Sequence, residues 1–190
     1  MSFPSVYLGL LHYPVLGKRS ELITTSVTNL DIHDIARSCK TFGVKGYYIV
    51  TPIVSQHQLV QKIMDHWNTD QSLDYNPDRS DAFKTVELCF DLESVLKSIE
   101  EREGEQCELV VTGANFEKHS GDMTHFVHWA RQKSRPLLLL FGTGHGIAPE
   151  VLEKACYYLD PINGSTDNDY NHLSVRSAVA IYLDRLNQSL

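Results

Sequence analysis

The chain has 190 residues, of which 42% are hydrophobic and 22% charged, with a formal net charge of −7. That length fits one domain, 1–190, with a real core. The acidic balance argues against a protein whose main task is wrapping nucleic acid, and no stretch approaches the ~20 apolar residues that cross a membrane.

The opening "MSFPSVYLGLLHYP" lacks a basic start and a small-residue cleavage site, so it reads as a first strand, Val6–His12, and not as a signal peptide. Next, Ile32, Ile35, Ala36 and Cys39 keep helical spacing, with Thr28 placed like a capping-box residue before Asp31 and Gly43 as the stop. Gly46–Val50 is a second strand. Residues 68–81 form the longest polar loop, and Val86–Phe90 is a third strand. Asp91 can cap a helix striped by Leu92, Val95, Leu96 and Ile99 that Gly104 ends. After the strand Leu109–Thr112, Met123, Phe126, Val127 and Ala130 repeat the spacing. Leu137–Phe141 runs into a glycine turn, 161–171 is a second polar loop, and Val175, Ala178, Val179, Tyr182, Leu183 and Leu186 stripe a long last helix. Apolar strands separated by helices predict an α/β fold, a mostly parallel sheet with helices on both faces.

The four cysteines, Cys39, Cys89, Cys107 and Cys156, form no CxxC pair, which suggests reduced thiols and a cytoplasmic address. His125 and His128 can share a helix face without an evident third ligand, so no metal site is expected.

The turn "FGTGHG" carries the strongest local signal. A dinucleotide fingerprint needs GxGxxG and an acidic residue about 20 positions on. Here the third glycine comes one residue early, and Asp160, near that offset, lies late in the chain. A P-loop is excluded, because Gly146-Ile147-Ala148 stands where Gly-Lys-Ser/Thr is needed. The bland alternative is a tight strand-to-helix turn, with Pro149 starting a helix. Two polar blocks accompany the turn. Asn171, His172, Ser174 and Ser177 gather at the start of the last helix, more than capping requires. "TNLDIHDIAR" places Arg37 on an amphipathic helix, where pairing with Asp34 at i, i+3 is the plain alternative.

Together "LLHYPV", "TNLDIHDIAR", "FGTGHG" and "PINGSTDNDYNHLSVRSA" resemble the SPOUT superfamily of S-adenosylmethionine-dependent RNA methyltransferases, over about Tyr7 to Leu186. Within it the chain looks closest to small stand-alone bacterial members. The resemblance implies a C-terminal deep trefoil knot, roughly 107–186, which elementary topology would not suggest. It implies S-adenosylmethionine as cofactor, held by Thr112, Gly113, Ala114, Gly142, Thr143, Gly144, Gly146, Ile162, Gly164, Leu173, Ser174 and Ser177. It implies an RNA substrate, tRNA or rRNA, and a homodimer that completes the site through the early and last helices. No membrane is involved, and a partner that presents the RNA stays open.

Catalytic candidates by the same resemblance are Arg37, Asn171 and Arg176, with Asn29, Asp31 and Arg79 toward substrate. The 2′-O-methylating branch has asparagine six residues before the arginine, where Asp31 stands here, and asparagine in place of Ser174. The acceptor is therefore open between a 2′-hydroxyl and a base nitrogen or carbon. Arg79, in the "NPDR" stretch 76–79, could join Lys18, Arg19, Lys40 and Lys45 in a basic rim. His33 and His172 flank the polar blocks as proton-transfer candidates, and His145 sits oddly between two glycines. Two rival functions remain: a binding module of the same fold without turnover, and a nicotinamide-dependent oxidoreductase.

Overall fold

The computed structural model describes residues 3–67, 69, 77–115, 117–165 and 170–190. Six strands form one sheet: β1 (Val6–Leu11), β4 (Tyr47–Val50), β5 (Val86–Cys89), β6 (Glu108–Thr112), β7 (Leu137–Gly142) and β8 (Tyr157–Tyr158). Their order is β5-β4-β1-β7-β6-β8, and every neighbouring pair runs parallel. The central register sets Leu8 beside Leu139 on β7 and Tyr47 on β4. Both faces are buried, which is why β7 reads as an unbroken apolar run.

Side chains alternate between two cores. Leu8, Leu10, Ile49, Val110, Leu139 and Phe141 pack on one face. That face is covered by α1 (Asn29–Thr41), α2 (Val54–Trp67), α3 (Pro77–Phe83), α5 (Met123–Ala130) and α7 (Val175–Ser189). Tyr7, Leu11, Tyr48, Val50, Leu138 and Leu140 face the other way, under α4 (Leu92–Glu103) and the short α6 (Pro149–Leu152). Helix ends follow local chemistry. The Thr28, Asp91, Asp122 and Ser174 side chains accept from the N–H groups of Asp31, Ser94, His125 and Ser177. Gly104, at φ +77, closes α4.

Besides the short β8, two helices and a small strand pair depart from the sequence reading. Residues 77–81, expected as loop, open α3: Pro77 suits a first helical turn, and Ala82 and Phe83 bury its far end. The rest of the expected 68–81 loop, apart from Thr69, lies outside the described residues, Asn76 included. Helix α2 escapes periodicity because Val60 is its one buried residue. The third is an antiparallel pair of two-residue strands, β2 (Val15–Leu16) and β3 (Leu22–Ile23).

That small pair braces the glycine turn. Leu16 N–H donates to the Gly146 carbonyl at 2.8 Å, and His145 N–H donates to the Leu16 carbonyl at 2.8 Å. Ala148 N–H reaches the Pro14 carbonyl at 3.2 Å. Gly144 sits at φ +62, and a Cβ there would stand 2.8 Å from the Leu16 carbonyl oxygen. Backbone cannot yield as a flexible side chain would. Gly144→Ala is therefore expected to destabilise the protein by about 2–4 kcal/mol, combining left-handed strain with that clash. Urea denaturation checks this; a loss within error of zero would show that the brace is pliable.

Candidate functional site

All strands of a parallel sheet end on the same edge, and loops there form ligand crevices. At the ends of β1, β6 and β7 lies a cavity of about 620 Å³. This falls within the roughly 300–1,000 Å³ of small-molecule sites. Three groups of residues that the sequence singles out meet there. Thr112, Gly113 and Ala114 end β6; Gly142, Thr143, Gly144 and Gly146 follow β7; Ile162, Asn171, Leu173 and Arg176 come from the last loop and α7. Asp31 and Thr28 close the wall from α1.

The polar members are mostly committed to each other. Asp31, only 6% exposed, accepts from the Thr28 hydroxyl at 2.6 Å and from Arg176 Nη1 at 3.0 Å. Arg176 Nε also lies 3.6 Å from Asp34. Asp34 thus meets the last helix, whereas pairing with Arg37 was the plain expectation. A charge buried this deeply needs such a partner, because an uncompensated one is costly. Asn171 clamps its loop: Nδ2 donates to the Ile162 carbonyl at 3.0 Å, and Oδ1 accepts from Gly164 N–H at 3.0 Å. Both ends of its amide are spent on backbone.

Other expected residues lie off the cavity wall. Arg37 and Asn29 are exposed on α1, and Arg79 lies over the Trp67 ring at 4.4 Å. Ser174 and Ser177 share a 2.8 Å hydroxyl contact at the start of α7. His33 packs edge-on against Trp67 and Phe83, away from the cavity. Within the expected basic rim, Lys40 pairs with Asp81 at 2.8 Å. His145 and His172 line the cavity and are exposed.

Sequence reasoning gave no role to four polar residues on this wall, His12, Thr25, Ser26 and Asn115. His12 follows β1 and is 1% exposed. Its signal was its place, a polar residue ending an apolar strand at the carboxyl edge of the sheet. Burial pushes its pKa down to about 4, opposed by the nearby Asp31 charge. In the unfolded chain the same imidazole takes up a proton near its ordinary 6.5. Folded His12 binds fewer protons between those values, so its contribution is full above pH 6.5 and is lost as pH falls toward 4. The effect is about 3 kcal/mol. Urea denaturation at pH 7 and pH 4.5 should show a smaller acid-induced loss for His12→Gln than for wild type; equal losses would refute the assignment.

The match to known proteins covers the whole fold. Residues 5–188 match the family model described as SAM-dependent RNA methyltransferase. A tRNA (guanine-N1)-methyltransferase of Oleidesulfovibrio alaskensis is 44% identical over 183 residues, 96% of this chain and 42% of that protein. The chain thus spans less than half of that relative. A protein of Aquifex aeolicus is 38% identical over 182 residues, 96% of this chain and 88% of its own length. In structure the chain resembles the SpoU methyltransferase AviRb of Streptomyces viridochromogenes in complex with AdoMet. The TM-score is 0.57 at 17% identity, over 99% of this chain and 58% of that one. With a family model matched across nearly its full length, the cavity at the carboxyl edge of the sheet belongs to a member of the SAM-dependent RNA methyltransferase family.

Proposed function

We propose that this chain transfers a methyl group from S-adenosylmethionine to RNA, with tRNA as the first substrate to test. The observation that carries this reading is the convergence of three loops on one cavity, in a chain whose residues 5–188 match the family. The relative from Oleidesulfovibrio alaskensis favours tRNA over rRNA.

The residues present fit the cofactor. Gly146, at φ +123 on the cavity wall, has open space where a Cβ would stand, so ligand can approach its backbone closely. Thr112, Gly113, Ala114, Gly142, Thr143 and Gly144 would hold it from two sides. Ile162 and Leu173 would hold it from the third, while Gly164, Ser174 and Ser177 act from behind the wall, Gly164 in the Asn171 clamp and the two serines in the cap of α7. Bound there, S-adenosylmethionine supplies an already activated methyl group. The protein then has to align an acceptor and accommodate its proton.

Arg176 fixes Asp31 at the wall and so shapes the acceptor side, while exposed Arg37 is placed to meet phosphate from α1. Asn171 acts by holding the last loop in shape. Asn29 and Arg79 belong to the RNA-facing surface. The same reading makes 107–186 a deep trefoil knot, supported by the packing of α7 on both α1 and α5 and by the Tyr182 hydroxyl on the Asp160 carbonyl at 2.8 Å. It also makes the protein a homodimer through α1 and α7, where Leu30 on α1 and Leu173 just ahead of α7 are exposed apolar side chains. Among the described residues no helix is long and apolar enough to cross a membrane; a cytoplasmic place of work follows from the proposed tRNA substrate, which the relative's name supports.

Tritium transfer from labelled S-adenosylmethionine to unmodified total tRNA and rRNA, followed by nucleoside mapping, tests this directly. One labelled nucleoside is expected, with Arg176→Ala slowing transfer about tenfold, on the order of 1.4 kcal/mol of barrier. Cofactor binding by calorimetry without label in any RNA would identify a binding module instead.

A further inference from the structure

Nearly every polar side chain buried around the cavity has a partner within the protein. Thr112 donates to the Leu140 carbonyl at 3.0 Å, Tyr182 to Asp160, and Asp31 is held by Thr28 and Arg176. His12 Nε2 differs. Among the described residues lining the cavity it is the one buried side-chain nitrogen or oxygen with no hydrogen-bond partner.

The protonation of that ring follows from counting hydrogens. Thr143 Oγ1 lies 2.9 Å from the Leu11 carbonyl oxygen, which can only accept, so Thr143 spends its single proton there. Thr25 Oγ1 lies 2.5 Å from Thr143 Oγ1 and must donate to it. With its own proton spent, Thr25 can only accept from His12 Nδ1, 2.9 Å away. His12 therefore carries its proton on Nδ1, and Nε2 presents a bare lone pair. The relay His12–Thr25–Thr143–Leu11 joins the end of β1, the loop after β3 and the glycine turn, so three segments fix one tautomer.

An unsatisfied buried acceptor costs the free protein its desolvation. A ligand that supplies a donor recovers that cost on binding; one that offers only lone pairs meets repulsion. We propose that His12 Nε2 is a ligand-recognition site for an N–H or O–H donor on the molecule bound in the cavity, kept in accepting form by the Thr25–Thr143 relay. The site rests on the methyltransferase reading only for the identity of that molecule. An amine of the cofactor and a protonated acceptor atom of the RNA share the required chemistry.

Nitrogen NMR of the 15N-histidine protein tests it, with the His12 signals assigned by their loss in His12→Ala. At pH 7 the ring should be neutral with Nε2 unprotonated. The Nε2 resonance should move upfield, as a nitrogen accepting a hydrogen bond does, on adding S-adenosylmethionine alone or unmodified tRNA with S-adenosylhomocysteine. A shift with S-adenosylmethionine alone assigns the donor to the cofactor; a shift that needs the tRNA as well assigns it to the RNA. Calorimetry should then show His12→Ala binding that molecule about tenfold to a hundredfold more weakly. Thr25→Val keeps the fold under test independent of His12 and should give a mixture of tautomers. A protonated Nε2, a resonance silent to both additions, or unchanged affinity in His12→Ala would overturn the proposal. A protein whose Nε2 responds to S-adenosylmethionine but which labels no RNA would sink the methyltransferase reading alone. A labelling enzyme with a silent Nε2 would sink this one alone.

Discussion

The structure depends on parallel pairing of β1 between β4 and β7. Parallel strands need crossovers, and crossovers need helices on the faces, so both faces of these strands must be apolar. That requirement drives polar residues to the strand ends. His12, Thr112 and Thr143 are the first polar side chains after three fully buried runs, and all three line the same cavity. The site is thus a by-product of how the core is buried, sharpened by loops that supply backbone in place of side chains.

A second constraint ties the site to the far end of the chain. Arg176 and Asp31 are 145 residues apart in sequence, yet their contact fixes α7 against α1 beside the cavity. Exposed ion pairs count for little, but Asp31 is nearly excluded from solvent. The charge therefore specifies position more than it adds stability. The last helix is held where Val175 and Arg176 of its first turn, with Leu173 just ahead of it, line the pocket.

Much of this was legible in the sequence where one physical effect dominated. Val6–His12 and Leu137–Phe141 matched strands to within one residue, because two-sided burial leaves no polar position inside them. The caps at Thr28 and Asp91 followed from side-chain chemistry at fixed spacing. Helix α2 was invisible since a single buried valine gives no stripe, and β2, β3 and β8 are too short for any periodicity. The three loops of the cavity were singled out through the motifs that carry the family resemblance, and their residues meet on one wall. His12 could not, because one histidine after a strand looks like any other until its neighbours are known. Arg37 stood out as the lone arginine on an amphipathic helix, yet Arg176, arriving from the other end of the chain, took its expected partner.

Asn171 has a further consequence. Its amide bonds to both Ile162 and Gly164, closing the base of the last loop with one side chain. The conformational freedom lost at that base is lost when the chain folds, before any ligand arrives. A ligand entering the cavity meets Ile162 already in place and need not order it, which leaves more of its contact energy to appear as affinity. The loop base behaves less like a lid than like a fixed jaw.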